Sequence, residues 1–225
     1  MKLIDNVCRM HPDIIFEDNH LLAVNKPSGY PTQPDQVSND SLQDFYKQWI
    51  KQRDHKAGNV FLEVVHRLDK PVTGVVVFAK TSKALSRLQA SMRSKSVIRK
   101  YHAMISRPLP SDEGTLVHYL IHREYYAEIA SPNNPEAKKA ILHYQTIGKC
   151  KDKIVLEITL ETGRYHQIRA QLSAAGSPII NDVKYGGATD TTIKGVALHH
   201  ACFGIPHPIT HEMQLFQAVC PFVLD

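Results

Sequence analysis

An α+β fold is what this sequence predicts, on three observations. Strand-like segments outnumber helical ones. The two kinds do not alternate along the chain as a parallel α/β fold requires. The strands also come in two patterns, one alternating apolar with polar residues and one continuously apolar. The 225 residues, 43% hydrophobic and 22% charged, suffice for one large domain with a real core or two small subdomains sharing a cleft. No internal repeat, low-complexity tract or long linker divides them.

The elements follow in chain order. Ile14 to Phe16 and Leu21 to Val24 read as a hairpin around a polar turn, and the NKPSG segment after it bends the chain. Ser41 is placed to cap a helix whose apolar positions, Leu42, Phe45, Tyr46 and Trp49, share one face. Val64 and Val65 end a strand, and Val75 to Ala79 form a short buried one. Thr81 or Ser82 caps a second helix with Ala84, Leu85, Leu88 and Met92 on its buried side. Val97 to Ile105 is a strand. Residues 106–140, polar and with four prolines, predict an insertion or flexible excursion. Strands follow around Ile141 to Thr146 and, with clear alternation, Ile154 to Leu160. Ile168, Leu172 and Ala175 mark a short helix that Gly176 ends. One more strand is expected within residues 195–208, and another from Met213 to Val223.

Composition narrows the function. The net charge of +5 favours a polyanionic partner. The segment from Lys80 to His102 carries seven Lys or Arg residues and no acid, which makes it either a solvated face or a phosphate-contacting one. Cys8, Cys150, Cys202 and Cys220 lie far apart with no CxxC pair, as expected of thiols in a reducing cytoplasm. The opening residues hold no apolar stretch of signal-peptide length, and GVVVFA is among the longest apolar runs, so no membrane association is expected. The 13 histidines include no HExxH and no zinc spacing, and no metal is expected. GxSxG and P-loop patterns are absent, which leaves acyl transfer and nucleotide hydrolysis without support.

Two stretches concentrate chemistry. In VVHRLDKPVTGVVVFAK, Val64 to Lys80, a His, an Arg, an Asp and a Lys sit between two β-branched runs. Asp69 there is either a salt-bridged turn residue or a poised carboxylate. In LETGRYHQIRAQL, Arg164, His166, Gln167 and Arg169 crowd the join of a strand and a helix. Helix-start amides and two arginines suit a carboxylate, a phosphate, or one of each. A capped helix with surface charges is the plainer alternative.

Taken together, VHRLDKPVTG and TGRYHQIRAQL resemble the RluA-type family of RNA pseudouridine synthases. NKPSG at 25–29, RKYHAMI at 99–105, SPIINDVKYGG and ALHHACFGIPHP match that family in order and spacing. The resemblance runs from about residue 14 to the C-terminus. It implies the pseudouridine synthase catalytic fold: a mixed, mostly antiparallel bent sheet in two halves, flanking helices and a central basic cleft. It implies one catalytic domain over residues 1–225 without a separate N-terminal RNA-binding domain, acting as a monomer. The implied activity isomerises specific uridines of structured rRNA or tRNA, detaching uracil at nitrogen and rejoining it through carbon 5, with no cofactor. Asp69 is then the essential carboxylate and Arg164 its partner, a cation that lowers a carboxylate pKa by ~1–3 units. Tyr101 packs on the target base and assists removal of the carbon 5 proton, and Leu198 floors the pocket. A uridine inside a stem must be everted, at a cost of about a few kcal/mol. Arg67 fills the vacated space or holds a neighbour, His66 orients the turn, Lys26 with the basic segment contacts RNA backbone, and Gln167 and Arg169 contact the RNA as well.

Two departures stand out. Val72, Thr73 and Gly74 replace the family's usual Thr-Ser-Gly, and Gln171 stands where a His is common. A catalytically silent RNA-binding protein on the same scaffold is the principal alternative. A carboxylate-dependent nucleosidase is a weaker one, because no second acid accompanies Asp69.

Overall fold

The computed structural model describes residues 13–34, 40–150 and 152–222. It divides into two compact units: residues up to 97 with 202–218, and residues 98–201 with the chain beyond 218.

In the first unit, β1 (Ile14–Glu17) and β2 (Leu21–Lys26) form the expected hairpin. Helix α1 (Leu42–Arg53) follows, then β3 (Glu63–Val64), β4 (Thr73–Ala79) and α2 (Ser82–Arg93). Strand β4 pairs antiparallel with β2, Lys26 opposite Gly74 and Leu21 opposite Ala79, and also with β3. The Cys202–Pro206 part of β10 (Leu198–Pro206) belongs to this unit and pairs antiparallel with β11 (Met213–Gln217).

All seven residues of β4 are buried, because both faces of the strand are covered. On one face, Val75, Val77 and Ala79 join Ala84 and Leu88 of α2 and Phe203, Ile205 and Phe216. On the other, Phe78 meets Tyr46 of α1 at 6.2 Å between ring centroids. That two-sided burial is why β4 reads as a continuous apolar run. Ser41 and Thr81 cap α1 and α2 through their hydroxyls, as expected. Trp49 is half-buried, with the Arg53 guanidinium 4.3 Å from its ring centroid.

The second unit holds β5 (Ile98–Ile105), β6 (Glu113–His122), β7 (Ala127–Ile129), β8 (Lys138–Cys150), β9 (Lys153–Leu160) and helix α3 (Gln167–Ala174). A short 3-10 turn spans Val183–Tyr185. The strand order is β5-β9-β8-β6-β7, each pair antiparallel. Helix α3 packs on β6 and β7, where Ala170 meets Leu120, Ala127 and Ala140. Gly176, at φ +80°, follows the helix as predicted.

One sequence expectation fails. Residues 106–140 are not a flexible excursion, since they carry β6, β7 and the start of β8. Strand β6 faces solvent on one side at Glu113, Thr115 and Val117, and its inner face includes His118, whose Nδ1 pairs with Gln171 Nε2 at 3.1 Å. A histidine at an inward position hides the alternation. The prolines that suggested irregularity fall in the connections. The tail strand is also shorter than expected, ending at Gln217, and Cys8 lies outside the described residues.

Candidate active site

Asp69 sits half-buried in the turn between β3 and β4, and that turn is fastened from a distance. The Val72 amide donates to Asp69 O (3.0 Å), which closes the turn locally. Thr32, only 3% exposed, donates its hydroxyl to Leu68 O (2.8 Å) and accepts from Leu68 N (3.1 Å). The Gly29 amide donates to Lys70 O (2.9 Å) and Ser28 Oγ to Pro71 O (3.1 Å). The NKPSG bend therefore serves as a clamp on the backbone of the Asp69 turn. Sequence reasoning missed Thr32 and Ser28 in this part. Their only signal is that hydroxyl residues follow a Pro-rich bend.

Lys26 completes the clamp. It is fully buried, and its ammonium donates to Pro27 O (3.0 Å), Lys70 O (3.1 Å) and Val72 O (2.6 Å). Burial pulls its pKa down from the lysine value to about 7, opposed by the charge of Asp69. A lysine with all three donors engaged inside the protein does not reach an RNA phosphate. The expected backbone contact by Lys26 is thus corrected to a structural role. His66 rests on the Phe203 ring at 4.2 Å, and its Nε2 accepts from the Val77 amide (3.3 Å), which anchors the HRLD segment to β4. Arg67, by contrast, is exposed.

In the second unit, Tyr101 lies on β5 opposite Ile158 of β9. It is 8% exposed and stacked on His200 at 4.3 Å, with 15° between the planes. Leu198, at the start of β10, is buried. Arg164 is exposed, in the loop between β9 and α3, and donates through Nε to Lys139 O (3.0 Å). Gln167 positions that loop. Its Oε1 accepts from the Arg164 amide (2.9 Å) and from Thr162 Oγ1 (2.9 Å), while its Nε2 donates to Ile141 O (3.0 Å). Arg99 packs against the same loop, donating to Glu161 O (3.3 Å), and a methyl group at Gly163 would overlap its guanidinium.

Gln167 and Arg169, expected as RNA contacts, are corrected likewise. Gln167 is buried and committed to the loop just described. Arg169 forms a two-point ion pair with Asp182, Nε to Oδ2 at 2.7 Å and Nη2 to Oδ1 at 2.8 Å, and its Nη1 lies 2.9 Å from His166 Nε2. The side chains of Arg169 and Asp182 are 6% and 1% exposed. Removing one partner of a buried pair strands the other charge. Arg169→Met is therefore expected to lower unfolding free energy by about 3–5 kcal/mol, measured from denaturant midpoints. A loss under 1 kcal/mol would show the pair to be dispensable.

Among the described residues there is no cluster of three His, Cys, Asp or Glu fit to hold a metal ion. Nor is any helix there long and apolar enough to cross a membrane.

Residues 20–174 match the family model for RNA pseudouridylate synthase, and this chain belongs to that family. It is an RNA pseudouridine synthase, an isomerase. Among its relatives, it is 33% identical over 215 residues to the uncharacterized RNA pseudouridine synthase YhcT of Bacillus subtilis, covering 95% of this chain and 69% of the relative. It is 31% identical over 223 residues to the ribosomal large subunit pseudouridine synthase D of Zymomonas mobilis, covering 93% and 69%. The fold matches the structure of human RNA Pseudouridylate Synthase Domain Containing 4 with a TM-score of 0.79 at 21% identity, over 97% of this chain and 91% of that one.

Proposed function

We propose that this enzyme converts uridine to pseudouridine in structured ribosomal RNA of the large subunit, with Asp69, Tyr101 and Arg164 as its catalytic residues. The reaction is an isomerisation. The bond from C1′ to N1 breaks, the bond from C1′ to C5 forms, C5 gives up its hydrogen and N1 gains one. Asp69 acts on the nucleoside as the carboxylate that this cleavage needs. Arg164 supplies positive charge to the reacting nucleoside. Tyr101 lies along the uracil and assists loss of the C5 proton, and Leu198 gives the pocket an apolar wall. Arg67 contacts the RNA around the everted base, and His66 holds the turn. The enzyme works in the cytoplasm.

One observation carries this reading. Four residues of the 26–32 segment hold the backbone on either side of Asp69, so a half-buried acid is fixed in one orientation. A carboxylate in an ordinary surface turn needs no such support. The choice of ribosomal RNA is supported by the names of several relatives. The test is tritium release from 5-tritiated uridine in unmodified transcripts of large-subunit rRNA and of tRNA, with carbodiimide mapping of the product. Release from rRNA at a discrete position is the expected result. Release from tRNA alone would overturn the RNA class, and release from neither would overturn the activity.

A further inference from the structure

Directly after Arg164 comes Tyr165, and its ring is the middle of a column of three. Tyr165 and His166 stack at 3.9 Å between centroids with 18° between planes. His122, the last residue of β6, lies 4.2 Å from Tyr165, tilted by 43°. Two rings this close cannot share one face of a third, so His122 and His166 cover opposite faces of Tyr165. His166 is the buried end of the column. Its Nε2 meets Arg169 Nη1, and its Nδ1 lies 3.0 Å from the Tyr185 hydroxyl. His122 is the exposed end.

What surrounds that exposed ring is unusual for a free surface. The turn after β6 presents Tyr125 and Tyr126, 65% and 46% exposed. Lys184 reaches this turn, donating to Tyr125 O at 2.6 Å. Lys138 of β8, opposite Leu120 of β6, is exposed as well. The acids nearby are engaged. Glu128 and Glu136 face Arg123, and Glu124 bonds the Tyr125 hydroxyl. Aromatic faces beside lysines fit a nucleobase and its phosphate, because every base offers a π-face and unpaired bases stack on such rings. An apolar protein partner would gain little from a surface of this polarity.

We infer that His122, as the exposed end of the His166–Tyr165–His122 column, is a stacking platform for an unpaired base flanking the target uridine. This rests on the proposed activity and deepens it. The rings provide a preference for unpaired context and none for base identity. Because the column is continuous with the residue after Arg164, the base it holds belongs to the RNA segment that enters the site.

The test uses the full chain and the rRNA transcript of the tritium assay. His122→Ala is expected to raise KM by about 5- to 150-fold, the range of losing one base–aromatic stack, with kcat within twofold of the parent. His122→Phe, which restores a ring, is expected to recover the parental KM. His122→Asn serves as a second ring-less variant if the alanine form does not fold. A ring-less variant that folds and keeps the parental KM would overturn the platform. If the parent releases no tritium, the same variants are compared by filter binding to the same transcript. Ring-dependent binding would then uphold the platform while the activity fails, and ring-independent binding would sink it too.

Discussion

Asp69→Asn is expected to abolish pseudouridine formation, by at least about a thousandfold in rate, while leaving thermal unfolding close to that of the parent. The substitution keeps size and shape. The turn survives because its bonds use backbone groups, Val72 N to Asp69 O and the carbonyls of Leu68, Lys70 and Pro71 that the clamp engages. The charge is lost, and with it any ability to attack the sugar, stabilise it or take a proton. The variant also removes the anion that opposes the fall in the Lys26 pKa, so Lys26 should lose its proton more readily than in the parent. Tritium release measures the first effect, and a melting curve controls for folding. Equal release from mutant and parent would sink the mechanism. Loss of release with RNA binding intact would also dismiss a silent RNA-binding scaffold, since the parent would then be shown to do chemistry.

Lys26→Met is expected to be strongly destabilising, although Lys26 belongs to no apolar cluster. It leaves the carbonyls of Pro27, Lys70 and Val72 without their donor, the bond to Val72 being fully buried. Each such orphan costs on the order of 1–3 kcal/mol, offset in part by removal of a buried charge. A net loss of about 2–4 kcal/mol follows. The pH dependence gives a second readout. Burial depresses the folded pKa to about 7 from the ordinary lysine value of 10.5. Between those values the unfolded chain binds more protons than the folded one, so this group makes stability rise with pH there. The penalty for holding the ammonium is complete below pH 7 and vanishes above 10.5. Parent stability should therefore gain up to about 1.4 kcal/mol per pH unit from Lys26 in that window, a slope the methionine variant lacks. Identical slopes in the two proteins, from denaturant unfolding at pH 7.5 and 9.5, would refute the assignment.

Much of the fold was legible in the sequence where burial is one-sided or complete. The alternation of Ile154 to Leu160 and the unbroken apolar run of β4 each have one reading, and Ser41 and Thr81 cap where hydroxyls precede an amphipathic face. Strand β6 was not legible, because its inner face carries His118 paired to Gln171, a partner more than fifty residues away. The site divided along the same line. Asp69, Tyr101 and Arg164 lie in the turn, the strand and the strand-to-helix join where the sequence puts them. Lys26, Gln167 and Arg169 could not, because a charged or amide side chain in a polar motif looks the same whether it faces solvent or is fully enclosed. Their partners are carbonyls and an acid brought in by tertiary structure, and no spacing rule reports them.

The clamp on the Asp69 turn has a consequence for how activity arises as the chain folds. The hydrogen bonds that orient the acid span 36 to 46 positions of sequence. None of them exists in a nascent segment that contains the HRLD stretch alone. The backbone around the acid is therefore held only once residues 26–32 have met the turn, and loop closure of that size is slow compared with local turn formation. With Asp69 in its proposed role, catalytic competence is thus a late event of assembly. A fragment that carries the motif alone is then expected to be chemically inert.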